Sequence, residues 1–486
     1  MRRLVPLIAA ALAVAVPALA ATPPVPIPGP LDGPLPRFEG NHVAARPLKG
    51  VAFPPHNPAL APDGASGSGL AAGNGGASPF PGPLGYLTAR ASAFQQGSCA
   101  SLAFDAKGRV IALCNGPVAP QLRLVDPKTF DTLSFLTLPP RRSQDTGDLA
   151  GGTHFVQRAD GTLLVPTNNA TLLTVAEDGD SLVQKASLDL SKLLGSGERP
   201  FAVGAGFDGR DWLVGNNGTV VTLPRDGGKP QTLALNEPVA EDLATDPTGT
   251  YVVTQAALYR LRADASGKPV VVWRQAIPGG PAVSHSGKLH DGPGTPPAIV
   301  PGGYVAVADG DDPPRLDVMR IGGGAANRLL CSTPLFTPGH GSVEAQLVVA
   351  GRAIVATSSY GYDNYSSTEG GNTTTGGIQQ VVVGRHGCHT RWRSKEISPS
   401  AQPVVSRVTG LLYTLDKPAG FPDRWNLAAL DWRTGKLRFR ALAGEGLGFN
   451  SNGGAVALAP DGTAFAGTFG GIARFRDIDG PYGQKE

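Results

Sequence analysis

Eight apolar runs in this chain each leave a turn and end on a polar residue, six or seven positions beyond a glycine of that turn: Asn115, Asn168, Asn216, Gln255, Asp309, Ser358, Asp416 and Thr468. A second polar set stands where the chain enters the preceding runs, namely Thr153, His154, Glu241, Asp242, Glu344, Asn450 and Asn452. Carboxylate and amide oxygens gathered about one axis make a hard-cation site, since calcium takes about six to eight oxygen ligands. Glu344, Asn168, Asn216 and Asp309 are the metal-ligand candidates on that reading. A cation held there polarises a carbonyl while a neighbouring group moves a proton, a part open to Glu344, Glu241 and His154. Asn115, Asn168, Asn216, Asp309, Asp416, Asn450 and Asn452 would line the ligand. A plainer account competes: Asn and Asp favour strand ends because they tolerate turn geometry and bond their own backbone.

Other chemical signals are weaker. His285 and His290 lie in SHSGKLHDGPG, a loop able to reach over a neighbouring site, and His340 stands near a strand entrance. His386 and His389 flank Cys388 too irregularly for a zinc site. The glycine runs IGGG and EGGNTTTGG lack the strand-before, helix-after context of a phosphate loop. Neither Gly-x-Ser-x-Gly nor His-Glu-x-x-His occurs.

The two polar sets can act together only if the runs are arranged around an axis. Their turns are FDAKGR, RADGT, FDGR, TDPTGT, VPGG, VAGR, VTG and APDGT, spaced by roughly forty to sixty residues. Each stands between strand-like runs such as VIALC, DWLVG and YVAVA, and a third run follows, as in QLRLVD, TVVTLP and IARFRD. Antiparallel units of three or four strands repeating at this length predict an all-β fold. The form expected is a single β-propeller of eight four-stranded blades, with seven as the alternative. The last unit supplies three strands, AVALA, TAFAG and IARFR. YLTARASAF, at 86–94, is the expected fourth, so that an N-terminal strand joins the last blade and leaves no free edge.

Composition agrees. The 486 residues include 66 Gly and 45 Pro, which suits many short strands and turns. A net charge of +3, without a basic and aromatic cluster, argues against a nucleic-acid partner. Arg2 and Arg3 precede the apolar run 4–16, and Ala18-Leu19-Ala20 has the small-residue pattern of a cleavage site. Residues 1–20 therefore read as a signal peptide, 21–85 as a Pro/Gly-rich arm and 86–486 as the propeller. No further stretch reaches the roughly 18 apolar residues of a membrane span. A periplasmic or secreted protein can keep disulfides. Cys99 and Cys114 are placed symmetrically about the Asp105–Gly108 turn and would face each other across a hairpin, leaving Cys331 to pair with Cys388.

The segment LAALDWRTGKLRFR resembles the repeat of quinoprotein-type, or PQQ-like, propellers: Ala429, Asp431, Thr434 and Gly435 match, and Phe439 stands where that family usually has tryptophan. LRLVDPKTFDT is a degenerate copy that keeps Asp126 and Thr129. The resemblance implies an exported bacterial propeller. In the family's alcohol and sugar dehydrogenases it also implies pyrroloquinoline quinone and calcium over the channel, often with a stacking tryptophan and an adjacent-cysteine disulfide. This chain has no Cys-Cys pair, and most of its five tryptophans fall in strands or outer turns. Six-bladed lactonases and phosphotriesterases offer a different analogy, a Glu/Asn/Asn/Asp metal set. Three functions follow as expectations: a small-molecule site with a calcium-assisted hydrolase, lactonase or lyase activity; a PQQ-dependent dehydrogenase; or a non-catalytic scaffold for an envelope protein partner.

Overall fold

The computed structural model describes residues 38–65, 72–95, 97–116, 118–140, 154–277 and 285–483. The proposed leader lies outside them. Eight antiparallel four-stranded units form the ring. Blade 1 spans 98–137, blade 2 156–189, blade 3 200–234, blade 4 244–276, blade 5 298–334, blade 6 348–394 and blade 7 404–445, while blade 8 takes 456–477 and one strand from elsewhere. All eight expected turns join the first and second strands of their blades. Gly161 shows why such turns carry glycine: its φ of 81° lies in the left-handed region, where a Cβ is strained.

The blade strands read as nearly unbroken apolar runs because both faces are buried. In blade 3, Leu213 packs toward blade 2, whereas Trp212 and Val214 pack toward blade 4. Eight apolar clusters result, one at each junction between neighbouring blades. Truncating a fully buried residue such as Trp212 would cost about 3–5 kcal/mol.

Ring closure is as expected. Thr88–Phe94 pairs antiparallel with Gly471–Asp477, so the strand after the arm becomes the outer strand of blade 8. At the seam, blades 8 and 1 come very close: a Cβ on Gly467 would sit 1.9 Å from the Cys99 carbonyl oxygen. Both expected disulfides form. Cys99–Cys114 links facing residues of blade 1's first two strands. Cys331–Cys388 joins the outer strands of blades 5 and 6, a tie between blades that parity of spacing did not specify.

The described part of the arm is packed against the ring. Its described residues cross the end of the channel that carries the first-to-second-strand turns and bond the innermost strands of seven blades in turn. Ala65 O accepts from Phe104, and Ala61 N donates to Gln157 O. Asn57 Nδ2 donates to Ala205 O, and the carbonyls of Ala72, Gly73, Gly75 and Gly76 accept from Thr245, Ile299, Val349 and Val405. Ala77–Ser78 adds a parallel strand inside blade 7, and Phe38–Gly40 an antiparallel one outside it. The other end of the channel, where chains enter first strands and leave second strands, is the mouth.

Candidate functional site at the channel mouth

Three connections meet at the mouth. The one between blades 3 and 4 carries Glu241 and Asp242, that between blades 4 and 5 carries 285–297, and that between blades 5 and 6 carries Glu344. Glycine lets the middle connection fold down tightly: Gly287 has φ 79°, and a Cβ there would lie 2.2 Å from Ser359 O. Asp363 fastens it by accepting from Gly287 N at 2.7 Å and from Ser286 Oγ at 3.0 Å.

This brings His290 between two carboxylates. Its Nε2 lies 2.9 Å from Glu241 Oε1 and 3.0 Å from Glu344 Oε2. Nδ1 is 3.2 Å from the Asp291 carbonyl oxygen, a contact that suits a proton on Nδ1 and leaves Nε2 as the working atom. Burial works against a charged imidazole, but the two carboxylates outweigh it and hold His290 well above its ordinary range. Burial and the nearby Glu241 raise Glu344, opposed by His290. One donor atom from each residue fits within 4.8 Å of the others. Adjacent ligands set at right angles around an ion with bonds of about 2.1 Å stand about 3 Å apart, so the three side chains suit a divalent cation as well as a hydrogen-bonded triad.

Beside Glu344, the side chains of Lys288, Asp309, Asp311 and Ser342 close around a narrow crevice with no room for a water molecule. Asp309 is 1% exposed; its Oδ1 accepts from Arg315 N at 2.7 Å, and its Oδ2 has no hydrogen-bond partner. Burial, with Asp317 and Asp311 nearby, pushes its carboxyl up to about 7. Burial lowers Lys288 despite the acids around it. His154 lies 3.7 Å from Asp242, whose carboxyl burial raises, and its Nε2 accepts from Val203 N.

Of the other polar residues, Thr153 lies outside the described residues, and several bond within the scaffold. Asn216 Oδ1 accepts from Arg199 N at 2.9 Å. Asn168 is buried, and Asn115 ends its strand opposite Ser98. Asp416 is bound on both oxygens, by Asn426 Nδ2 at 2.9 Å and by Arg440. Asn450 and Asn452 both face the Tyr362 hydroxyl, at 2.9 and 3.2 Å, and Asn450 Nδ2 donates to Tyr365 O and Thr368 Oγ1. They hold down 358–377, the long connection inside blade 6 that reaches across to blade 8. The residues missed by counting from the turns are His290 and Lys288; the glycines of SHSGKLHDGPG were the available signal.

The mouth does not fit pyrroloquinoline quinone. All five tryptophans are buried in the blades, with Trp273 Nε1 on Ile321 O and Trp392 Nε1 on Trp432 O. The crevice beside Glu344 admits no water molecule, whereas organic-ligand pockets begin at roughly 300 Å³. Both disulfides join cysteines far apart in sequence.

The structure is an eight-bladed propeller with a Glu-His-Glu cluster at its mouth. No family model matches the chain. An uncharacterized protein of Archaeoglobus fulgidus is 33% identical over 88 residues, 18% of this chain and only 17% of that protein's length. Similar solved structures include the quinohemoprotein alcohol dehydrogenase from Comamonas testosteroni, at 10% identity over 79% of this chain and 74% of that one, with a TM-score of 0.49. Streptogramin B lyase is 9% identical over 78% of this chain and 93% of that one, with a TM-score of 0.40. BamB from Moraxella catarrhalis is 11% identical over 65% and 85%, with a TM-score of 0.41. These likenesses concern the fold alone. Among the described residues, no helix is long and apolar enough to cross a membrane.

Proposed function

We propose that this is an exported propeller that holds a divalent cation between Glu241, His290 and Glu344 and acts there on a small organic molecule, by hydrolysis, lactone opening or elimination. The observation that carries this reading is the convergence of three donor side chains from three separate connections, with His290 Nε2 at 2.9 and 3.0 Å from the two carboxylates. When bound, such a cation polarises a carbonyl oxygen. An imidazole donor shifts the preference from calcium, which favours oxygen, toward zinc, manganese or iron. Lys288 and Asp309, packed beside Glu344, are the nearest groups able to move a proton. The disulfides support export.

Calorimetry on EDTA-treated protein with zinc, manganese and calcium chlorides tests the reading. Saturable binding to wild type that weakens by about 100-fold in Glu344→Gln is expected. If none of the three ions binds, the cation site is wrong.

A further inference from the structure

On the turn side of the ring, a groove of about 510 Å³ runs beneath the arm along blades 5, 6 and 7. Arg352, Arg391 and Arg433 line it together with Val51, Val382 and Trp432, and no Asp or Glu does so. Some guanidiniums of this protein meet acids, as Arg109 does with Asp105, Glu177 and Asp180 and Arg440 with Asp416, Glu396 and Glu39; buried Arg123 instead meets Gln95, Gln121 and Thr132, and buried Arg328 lies over the Trp273 ring. In the groove, Arg352 and Arg391 are exposed to solvent and Arg433 is half-buried. Among the described residues none of the three has a carboxylate partner. Each is nevertheless oriented. Arg433 donates to the carbonyls of Arg46 and Pro47 at 3.0 and 2.9 Å, Arg391 to Gln380 Oε1 at 3.1 Å, and the Arg352 guanidinium lies 5.5 Å from the Tyr304 ring centre.

Three like charges facing one hollow give it a positive potential, which an anion would relieve. Guanidinium forks match phosphate and carboxylate oxygens two at a time, and the valines and Trp432 give an apolar floor. We propose that this groove is a second binding site, separate from the mouth, for a ligand bearing two or more phosphate or carboxylate groups on an apolar body. That chemistry belongs to soluble polyanions and to anionic lipid headgroups alike.

The probe is inorganic pyrophosphate, titrated by calorimetry at low salt into EDTA-treated protein so that the mouth carries no cation. Wild type should bind it, and Arg352→Ala/Arg391→Ala should bind at least tenfold more weakly with its thermal midpoint unchanged. Arg433 is left intact because it holds the arm. Arg352→Lys/Arg391→Lys should recover part of the binding. Flotation with phosphatidylglycerol vesicles, against phosphatidylcholine, separates the sources: flotation of wild type but not of the alanine variant assigns a lipid headgroup, and pyrophosphate binding without flotation assigns a soluble ligand. Equal pyrophosphate binding by wild type and the alanine variant, or neither pyrophosphate binding nor flotation by wild type, overturns the proposal.

Discussion

Asp309 and Asp416 occupy the same place in two blades, the end of the second strand, yet the ring treats them in opposite ways. Asp416 spends both oxygens on Asn426 and Arg440 within blade 7. Asp309 keeps Oδ2 unpartnered beside the crevice it shares with Glu344 and Lys288. The contrast extends to whole sectors. Across blades 6 to 8 the polar groups fasten a connection: Tyr362 to Asn450 and Asn452, and the fully buried Lys417 to Asp423 at 3.1 Å and to Asn372 O at 2.8 Å. Between blades 3 and 6 they remain ionisable and face one another. A ring of polar side chains is therefore not one site; it divides where polar atoms find partners within the scaffold and where they do not.

The sharpest way to break that division is in the fastening sector. Lys417→Met would leave Asp423 and two backbone carbonyls without their cation, and about 3–5 kcal/mol of stability should be lost in urea unfolding. Cation binding at the mouth should persist in that variant at temperatures where it is folded; its loss would show that the two sectors act as one. Glu344→Gln makes the reverse test. It should weaken cation binding by about 100-fold, roughly 2.7 kcal/mol, with little change in thermal midpoint. A large fall in stability instead would make Glu344 a scaffold residue.

Smaller effects sharpen the picture. Tyr362→Phe removes the hydroxyl that faces two amide oxygens and should cost about 1–3 kcal/mol, read by thermal unfolding, without altering cation affinity. The finest test is pH. Burial raises Asp309 to about 7 and Asp416 to about 6, both above the unfolded value of about 3.9. The native state therefore binds each proton more tightly, so the carboxyl imposes no penalty below about pH 4, and stability falls as pH rises through the folded value. Asp309→Asn should flatten the fall between about pH 4 and 7 and stabilise the protein at pH 8. An unchanged slope would mean that Asp309 finds a partner in solution.

Much of the scaffold was legible. A glycine turn is a local event, so all eight could be read from a few residues each, and the alternation of YLTARASAF sufficed to place the closing strand. Cys99 and Cys114 face each other because a tight hairpin preserves the symmetry of their spacing. The second disulfide followed only by elimination, and nothing local revealed that it ties two blades. The site was half legible. Glu241 and Glu344 stood out as acids at strand entrances, but His290 enters through a long connection whose path depends on Asp363, a residue of another blade. Asn450 and Asn452 sat at a promising entrance and became fasteners, because 358–377 crosses the ring to reach them.

By itself, then, the sequence determined the repeating unit, the closure of the ring and the class of residues at the mouth, all of which rest on turn chemistry and strand periodicity within a few dozen residues, while the choice of eight blades over seven came from the structure. Only the tertiary structure decided which polar groups meet. That outcome depends on long connections and on the arm, whose courses are set by contacts between blades far apart in the chain: His290 reaches Glu241 and Glu344, and the carbonyls of 72–76 reach four successive innermost strands.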